Sequence, residues 1–371
     1  MSILLLGSIS TCWRGIKYQH EEVGITMKHK WQRRLVAAFL AVSITIMGGN
    51  AMAAEQHVNV DSATRNMPGH IASKELDVKV DKPDIGLISD VVYEQVPSRG
   101  YSNVAMKMDI LQPKGAKNLP AVIYVTGGGF INANKDNGIQ LRMHLAENGY
   151  VVGSINYRVA PTAKFPEPLE DVKAAIRYIK ANAEKFGVDP ERVGIVGGSA
   201  GGYLTAMAGT TSGTKTFDKG ENLQEKSDVK AAVDLYGLSD LTQIGSDYSE
   251  EVQAHHRSAG STEALWVNGS PVFGGTDGGI LADREAAELA NPIHYITKKS
   301  APMLLMHGTA DTLVSPSQTD LLFQALQQKG IESERYLVKD AGHGGIYWAQ
   351  NEVLDIITAF FDKYLKKDSA K

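Results

Sequence analysis

The stretch Gly197-Gly198-Ser199-Ala200-Gly201 joins an apolar, strand-like run to a helical run of small residues, and it is the strongest indication of the fold. A serine hydroxyl attacks a carbonyl group only if it is exposed beside a base, and a tight strand-to-helix turn holds it there. The turn also places the Ala200 N–H at a helix N-terminus, where it can stabilise a developing oxyanion. The pattern therefore predicts a nucleophilic Ser199. A glycine-rich connection without chemistry is the alternative, whereas a phosphate-binding loop would need lysine at the position of Tyr203.

A second glycine-rich stretch, Gly127-Gly128-Gly129-Phe130, directly follows an apolar run that ends at Thr126. Consecutive glycines let backbone N–H groups point into a site without an intervening Cβ. A dinucleotide-binding fingerprint would need a further glycine at the position of Asn132. Taken alone, the stretch is as consistent with a plain loop as with a site. Because it lies two strands before Ser199, it is the expected second half of an oxyanion hole.

Two further segments place an acid and a base after predicted strands. The segment His307-Gly308-Thr309-Ala310-Asp311 follows one apolar strand, and Ala341-Gly342-His343-Gly344-Gly345 follows the next. The carboxyl ends of parallel strands meet at one edge of an open sheet, so both segments and Ser199 are expected to converge there. His343 would accept the Ser199 proton, while Asp311 would fix the tautomer of His343 and stabilise its charged form.

Other histidines and carboxylates are weaker candidates. His307 ends an apolar strand, which favours a packed or hydrogen-bonded ring. The pair His255-His256 is expected to be solvated, with zinc binding as a minor alternative. Asp340 is the main competitor of Asp311, but it lies so near His343 in the chain that it is poorly placed to orient that ring.

From about Val91 onward, strand-like and helical runs alternate. Strands are predicted over residues 91–96, 106–111, 121–126, 150–156, 192–196, 229–236, 303–306 and 334–338, and helices over 138–148, 169–186, 200–209, 318–329 and 353–365. Single helices between strands indicate βαβ crossovers, hence an α/β fold with a mostly parallel sheet and helices on both faces. One domain over residues 85–371 is expected, with a polar, Gly-rich insertion at about 238–291.

The segment before this domain carries a targeting signal. From Met27 a basic stretch ends at Arg34, an apolar run covers residues 35–47, and small residues occupy 51–53. This pattern is typical of a secretory signal peptide, and its apolar run is shorter than the roughly 20 residues that span a bilayer. We expect cleavage after Ala53 and export, periplasmic or secreted, with no stable membrane anchor. Residues 1–26 are interpreted as a mis-annotated upstream extension and residues 54–84 as a loose lead-in.

Composition excludes several classes of protein. Of the 371 residues, 43% are hydrophobic and 22% charged, an ordinary globular balance, and the formal charge is -4. That charge implies no nucleic-acid partner. Cys12 is the only cysteine, which excludes a disulfide framework, a Cys-ligated zinc site and a thiol redox pair. Neither a cofactor nor a metal is expected.

The motifs resemble those of the α/β-hydrolase superfamily. More narrowly, they resemble its serine esterases and lipases, in the group of hormone-sensitive-lipase-like and bacterial feruloyl- or acetyl-esterase-like (BD-FAE) enzymes. The resemblance extends from about Val91 to Leu365 and rests on the Gly127–Phe130 stretch, the motif Asn156-Tyr157-Arg158-Val159-Ala160-Pro161 with Phe165-Pro166, the Ser199 turn, Asp311 and His343. It implies the α/β-hydrolase fold, oxyanion donors at the N–H groups of Gly128, Gly129 and Ala200, and an insertion that caps the acyl or alcohol pocket.

One position departs from the family pattern. The family usually has histidine before the triple glycine, where this chain has Thr126. The resemblance implies that this histidine braces the oxyanion loop, so threonine is expected to loosen the loop or alter substrate choice without removing the donors.

These observations predict a serine carboxylesterase that acts through an acyl-enzyme on short-chain, acetyl or hydroxycinnamoyl esters of a small molecule or saccharide. A serine peptidase of the same fold is one alternative, although such enzymes usually carry a large additional domain. A non-catalytic binding protein is another, although such proteins typically lose a member of the triad. The sequence leaves the oligomeric state open.

Overall fold

The computed structural model of the chain describes residues 68–69, 71, 73–98 and 100–366. Contacts divide the chain into two units, Met1–Val78 and Lys79–Lys371. The described residues of the first unit form no helix or strand. The predicted upstream extension, the signal peptide and the cleavage point after Ala53 lie outside the described residues. All elements below belong to the second unit.

One sheet organises the second unit. Its strands are β1 (Ile85–Ser98), β2 (Tyr101–Pro113), β3 (Leu119–Val125), β4 (Val151–Ile155), β5 (Val188–Gly198), β6 (Ala232–Leu235), β7 (Met303–Gly308) and β8 (Ser333–Val338). Their order across the sheet is β1-β2-β4-β3-β5-β6-β7-β8. The pairs β1–β2 and β2–β4 are antiparallel, and the remaining pairs are parallel. The loops that follow β3, β5, β7 and β8 therefore meet at one edge.

Helices cover both faces of this sheet. The α-helices of the described ranges are α1 (Ile139–Glu147), α2 (Glu167–Ala181), α3 (Ala183–Phe186), α4 (Ala200–Thr210), α5 (Glu250–His256), α6 (Thr262–Asn268), α7 (Arg284–Leu289), α8 (Ser317–Gln328) and α9 (Asn351–Leu365). Short 3₁₀-helices lie at Pro271–Phe273, Ile280–Ala282, Pro292–Tyr295 and Ile346–Ala349. Among the described residues, no helix is both long and apolar enough to cross a bilayer.

The alternation of side chains along the strands creates two hydrophobic cores. In β3, Ile123 and Val125 point into the core shared with α2, α4 and α8, whereas Val122 and Tyr124 point into the core shared with α1 and α9. β4, β6 and β7 are buried along their whole length, as parallel strands covered on both faces must be.

The predicted α/β fold with a mostly parallel sheet is confirmed, and each predicted strand overlaps an observed one. One helix differs. The helix predicted over residues 169–186 is divided into α2 and α3 at Asn182, whose side-chain amide donates to the Tyr178 carbonyl over 2.9 Å. A side chain that bonds to the backbone in this way competes with the helical ladder.

The insertion between β6 and β7 contains α5, α6 and α7. Two of its helices begin at side-chain caps that the sequence supplies. Ser261 accepts a hydrogen bond from Ala264 N over 3.2 Å, and Asp283 accepts one from Ala286 N over 3.0 Å. Each cap satisfies an N–H group of the first turn that has no intrahelical partner.

Candidate active site

Ser199 occupies the sharp turn between β5 and α4. Its backbone has φ 58° and ψ −125°, a conformation that costs free energy for a residue with a side chain. The neighbouring glycines make the turn sterically feasible. A Cβ on Gly197 would lie 2.6 Å from the Val125 carbonyl oxygen, and a Cβ on Gly201 would lie 2.1 Å from the same atom. The strained turn therefore presents the Ser199 hydroxyl at the end of the sheet.

The three side chains proposed to act together are in hydrogen-bond contact. His343 Nε2 lies 2.7 Å from Ser199 Oγ, and His343 Nδ1 lies 2.7 Å from Asp311 Oδ2. A carboxylate only accepts, so Nδ1 carries the ring hydrogen and the Nε2 lone pair faces the serine hydroxyl. This arrangement can remove the Ser199 proton as the hydroxyl attacks a carbonyl carbon.

The charge of Asp311 is held by a dense set of donors. The residue is only 4% exposed, and its Oδ1 accepts from Leu313 N over 2.9 Å and from Val314 N over 3.0 Å. Burial by itself raises the pKa of the Asp311 carboxyl, but the hydrogen bonds from His307, His343 and the backbone outweigh it. They hold this pKa well below its usual range, so the group facing His343 is a carboxylate.

The competing residues have other partners. The Asp340 side chain is exposed, and Asp340 N donates to Thr309 Oγ1 over 2.9 Å. His307 is fully buried and hydrogen-bonded, as its sequence context predicts. His256 Nδ1 contacts Glu263 Oε1 over 2.7 Å. Among the described residues, no three His, Cys, Asp or Glu side chains are grouped to hold a metal ion.

The three candidate oxyanion donors lie on both sides of Ser199. Ala200 is the first residue of α4, so its N–H has no intrahelical acceptor. Gly129 has φ +57°, and a Cβ on Gly128 would lie 2.1 Å from the Asn132 carbonyl oxygen. The Gly128 carbonyl accepts from the N–H groups of Ile131 and Asn132, each over 3.1 Å. In the described part of the chain, no hydrogen bond is made by the Gly128 or Gly129 N–H.

Thr126, which replaces the usual histidine, is buried and firmly held. Its carbonyl oxygen accepts from the Tyr157 hydroxyl over 2.8 Å, and its Oγ1 accepts from Asn137 Nδ2 over 3.2 Å. The Ala160 N–H donates to the Phe130 carbonyl over 2.9 Å at the other end of the loop. These hydrogen bonds oppose the expected loosening of the loop, and no local sequence pattern predicts them.

An aromatic cluster ties the oxyanion loop to the insertion and to α4. The Phe130 ring stacks on Trp266 of α6 with centroids 4.4 Å apart, and both rings meet Tyr203 edge-on. The Tyr203 hydroxyl donates to the Ala290 carbonyl over 2.7 Å. Phe130 itself has φ 65°, an unfavourable backbone conformation that this packing stabilises.

A cavity of about 540 Å³ opens beside Ser199 and His343. Its walls come from the loops after β3, β5, β6, β7 and β8 and from the start of α1, with Tyr124, Asn137, Gln140, Tyr236, Leu313 and Trp348 among them. No residue from 238–291 lines it. The structure thus differs from the expectation that the insertion caps this pocket, because Trp266 of the insertion packs on Phe130 and Tyr203 and no part of the insertion reaches the cavity wall.

Known proteins with similar sequences are esterases. Esterase LipC of Mycobacterium tuberculosis is 32% identical over 246 residues, which are 65% of this chain and 57% of that protein. The probable carboxylic ester hydrolase LipM of the same organism is 30% identical over 210 residues, 56% of this chain and 45% of that protein. The chain thus spans about half the length of the curated relatives it matches.

Solved structures and a family model give the same assignment. A truncated form of a carbohydrate esterase from gut microbiota is 28% identical, with a TM-score of 0.65 over 78% of this chain and 99% of that one. The BD-FAE family model matches residues 108–326, more than half of the 371-residue chain. With its eight-stranded sheet and the strained serine turn, the chain belongs to the BD-FAE family of the α/β-hydrolase superfamily.

Proposed function

We propose that this protein is a serine carboxylesterase that hydrolyses esters of short, acetyl or hydroxycinnamoyl-type acyl groups. The observation that carries the proposal is the continuous hydrogen-bond chain from Ser199 through His343 to Asp311 at the mouth of a cavity. The esterase names of similar proteins support it.

In the first half of the reaction, Ser199 Oγ bonds to the ester carbonyl carbon while its proton passes to His343 Nε2. The N–H groups of Gly128, Gly129 and Ala200 would stabilise the oxyanion. The bond from carbon to the leaving oxygen then breaks, and His343 returns the proton to the alcohol. In the second half, water bonds to the acyl carbon while His343 takes a proton from it. The bond from that carbon to Ser199 Oγ then breaks, His343 returns the proton to Oγ, and the acid leaves.

The substrate class is proposed from the cavity. A volume of about 540 Å³ suits a small acyl or alcohol group. Its walls combine aromatic side chains, Tyr124, Tyr236 and Trp348, with the carboxamides of Asn137 and Gln140. The apolar side would pack against the acyl chain, and the amides would hydrogen-bond to a polar small-molecule or saccharide alcohol.

The proposal is tested by turnover of p-nitrophenyl acetate, butyrate and octanoate by the full chain and by Ser199→Ala. We expect turnover that falls with chain length and a loss of about 10⁶ in kcat for Ser199→Ala, as for nucleophile removal in other serine hydrolases. Ser333→Ala, at the start of β8 and so at the opposite edge of the sheet, is the matched control and should keep full activity. Equal turnover by wild type and Ser199→Ala, or none by either, would refute the proposal.

We also propose that the protein is exported, with a signal peptide of residues 27–53 removed after Ala53. The basic, apolar and small-residue segments of that stretch support the proposal. N-terminal sequencing of protein recovered outside the cytoplasm should begin at Ala54. A mature N-terminus upstream of Met27 would contradict it.

A further inference from the structure

A second histidine contacts the carboxylate that orients His343. His307, at the end of β7, is completely buried, and its Nε2 lies 3.2 Å from Asp311 Oδ2 and 3.0 Å from the Val314 carbonyl oxygen. Oδ2 is the same oxygen that lies 2.7 Å from His343 Nδ1. One carboxylate oxygen is therefore shared between two imidazole rings.

The partners of His307 fix its tautomer. Both groups facing Nε2 are acceptors without a hydrogen, so Nε2 itself must carry one. The other ring nitrogen, Nδ1, lies 3.2 Å from Thr319 Oγ1, a hydroxyl that can donate to it. Arg335 Nε donates to the same Thr319 oxygen over 3.2 Å, and the Thr319 hydroxyl also lies 3.3 Å from the Pro316 carbonyl, to which it can donate. The Nε2–H thus donates to the Val314 carbonyl and lies beside Asp311 Oδ2.

We propose that His307 is a positioning residue for the reaction, which sets the orientation and charge distribution of Asp311 through its Nε2–H. The proposal rests on the esterase function proposed above. His307 never approaches the substrate, because it is fully buried beneath the site.

This contact has a specific electrostatic effect. The N–H groups of Leu313 and Val314 donate to Oδ1 and that of His343 donates to Oδ2, and the His307 N–H lies beside Oδ2 as a fourth positive group. Each donor spreads the negative charge of the carboxylate. Without the His307 N–H, more of that charge acts on His343 and favours its protonated form, so fewer rings are neutral and able to accept the Ser199 proton. Oδ2 would also be free to rotate away from the His343 N–H.

The test compares three variants of the full chain on p-nitrophenyl acetate. His307→Leu removes the N–H donor and replaces the ring with an apolar side chain of similar length. His307→Gln keeps an N–H donor near the position of Nε2. Thr319→Val removes the hydroxyl from the other ring nitrogen and leaves the Asp311 contact intact, so it controls for disturbed packing around the ring.

We expect His307→Leu to lower kcat by about 10- to 100-fold with KM changed by less than about twofold, since a polar N–H contact with the charged Asp311 is lost. His307→Gln and Thr319→Val should each stay within about threefold of wild type. Equal losses in His307→Leu and Thr319→Val, or full activity in His307→Leu, would overturn the proposal.

The pH profile of kcat/KM separates positioning from packing. In His307→Leu its acid limb should move to higher pH, because the less compensated charge of Asp311 favours the protonated ring. A purely structural defect would lower the rate without moving the limb. The other titratable or charged groups that face this cluster are Tyr236, Tyr248, Asp247 and, beyond Thr319, Arg335 with Asp320. Burial raises the pKa of both tyrosines, so both stay neutral over the range of the experiment.

A spectroscopic measurement decides the outcome if His307→Leu fails to fold. ¹⁵N-detected NMR of the wild-type ring should show hydrogen on Nε2 of His307 at neutral pH, and a ring with hydrogen on Nδ1 alone would overturn the proposal. This readout needs no turnover. An enzyme without Ser199-dependent activity would thus refute the esterase function, whereas an active enzyme indifferent to His307 would refute only this inference.

Discussion

The two loops that flank Ser199 are held in opposite ways. In the oxyanion loop, residues 126–130, two backbone carbonyl oxygens hold the loop. That of Thr126 accepts from the Tyr157 hydroxyl, and that of Phe130 accepts from the Ala160 N–H. The Phe130 ring also stacks on Trp266. In the acid loop, residues 311–315, backbone N–H groups form the hydrogen bonds that hold the loop. The N–H groups of Leu313 and Val314 both donate to the Asp311 carboxylate.

The difference follows from what each loop has to present. An oxyanion hole needs N–H groups that remain free for the substrate, so its loop can be braced only by its carbonyls and side chains. A carboxylate buried beside a histidine needs donors, so its loop turns N–H groups inward. The insertion contributes to both, because Trp266 stacks on one loop and the Tyr248 hydroxyl donates to the Asp311 carbonyl over 2.9 Å in the other.

Removing the negative charge of the acid loop should have the largest effect on kcat. Asp311→Asn keeps the shape of the side chain but presents an amide to His343, which favours the wrong tautomer. We expect kcat to fall by about 10⁴ at neutral pH. Asp340→Asn is the control. Its kcat, measured by steady-state kinetics, should stay near that of wild type because the Asp340 side chain is exposed. A stronger loss in Asp340→Asn than in Asp311→Asn would move the acid role to the competing residue.

Breaking the brace of the oxyanion loop should have a smaller effect. Trp266→Leu removes the ring on which Phe130 stacks, so the loop that carries Gly128 and Gly129 gains freedom. We expect kcat to fall by about 10- to 100-fold, less than for complete loss of an oxyanion donor, with little change in KM.

Two variants sharpen this second prediction. Trp266→Phe keeps an aromatic surface and should retain most of the activity. Val272→Ala changes an 86% exposed residue of the same insertion and should have no effect. Inactivation by a phosphonate ester should slow in parallel with kcat in Trp266→Leu, because its transition state uses the same N–H groups. Unchanged phosphonylation with reduced ester turnover would show that Trp266 does not act through the oxyanion loop.

A variant outside both loops should have the smallest effect on rate and a pH-dependent effect on stability. Asp234 of β6 is fully buried behind Gly202, and burial raises the pKa of its carboxyl to about 7. The Gly237 N–H offsets only part of this rise, since neither carboxylate oxygen has a partner at hydrogen-bonding geometry. The native state therefore holds this proton up to a higher pH than the unfolded chain does, and stability falls as pH rises from about 4 to about 7.

Asp234→Asn should remove that loss. Its free energy of unfolding should match wild type near pH 4 and exceed it by up to several kcal/mol at pH 8, about 1.4 kcal/mol for each unit of the pKa shift. Urea titrations at the two pH values measure the difference, and kcat should stay within about threefold of wild type. A stability difference that is the same at both pH values would show that Asp234 is not protonated in the native state.

Most of the fold could be predicted from the chain because its signals are local. The apolar run that becomes β3 and the glycine-terminated helical pattern that becomes α1 each contain their own period and their own stop residues. The prediction of one long helix over residues 169–186 was wrong, because the helix is divided at Asn182. There a single side-chain hydrogen bond to Tyr178 competes with a strong amphipathic pattern. The expectation that the insertion caps the pocket was wrong, since none of its residues lines the cavity and its packing depends on which distant surfaces it meets.

Local patterns along the chain are enough to predict the sheet, the turn at Ser199 and the chain order of Ser199, Asp311 and His343. Strand period, glycine at sterically closed positions and the convergence of parallel strand ends are all properties of short segments and of chain topology. Three contacts appear first in the folded chain: His307 and His343 share Asp311, Trp266 supports Phe130, and Tyr157 holds Thr126. Such contacts join residues far apart in the chain or depend on angstrom-scale ring orientation, and no local pattern encodes either.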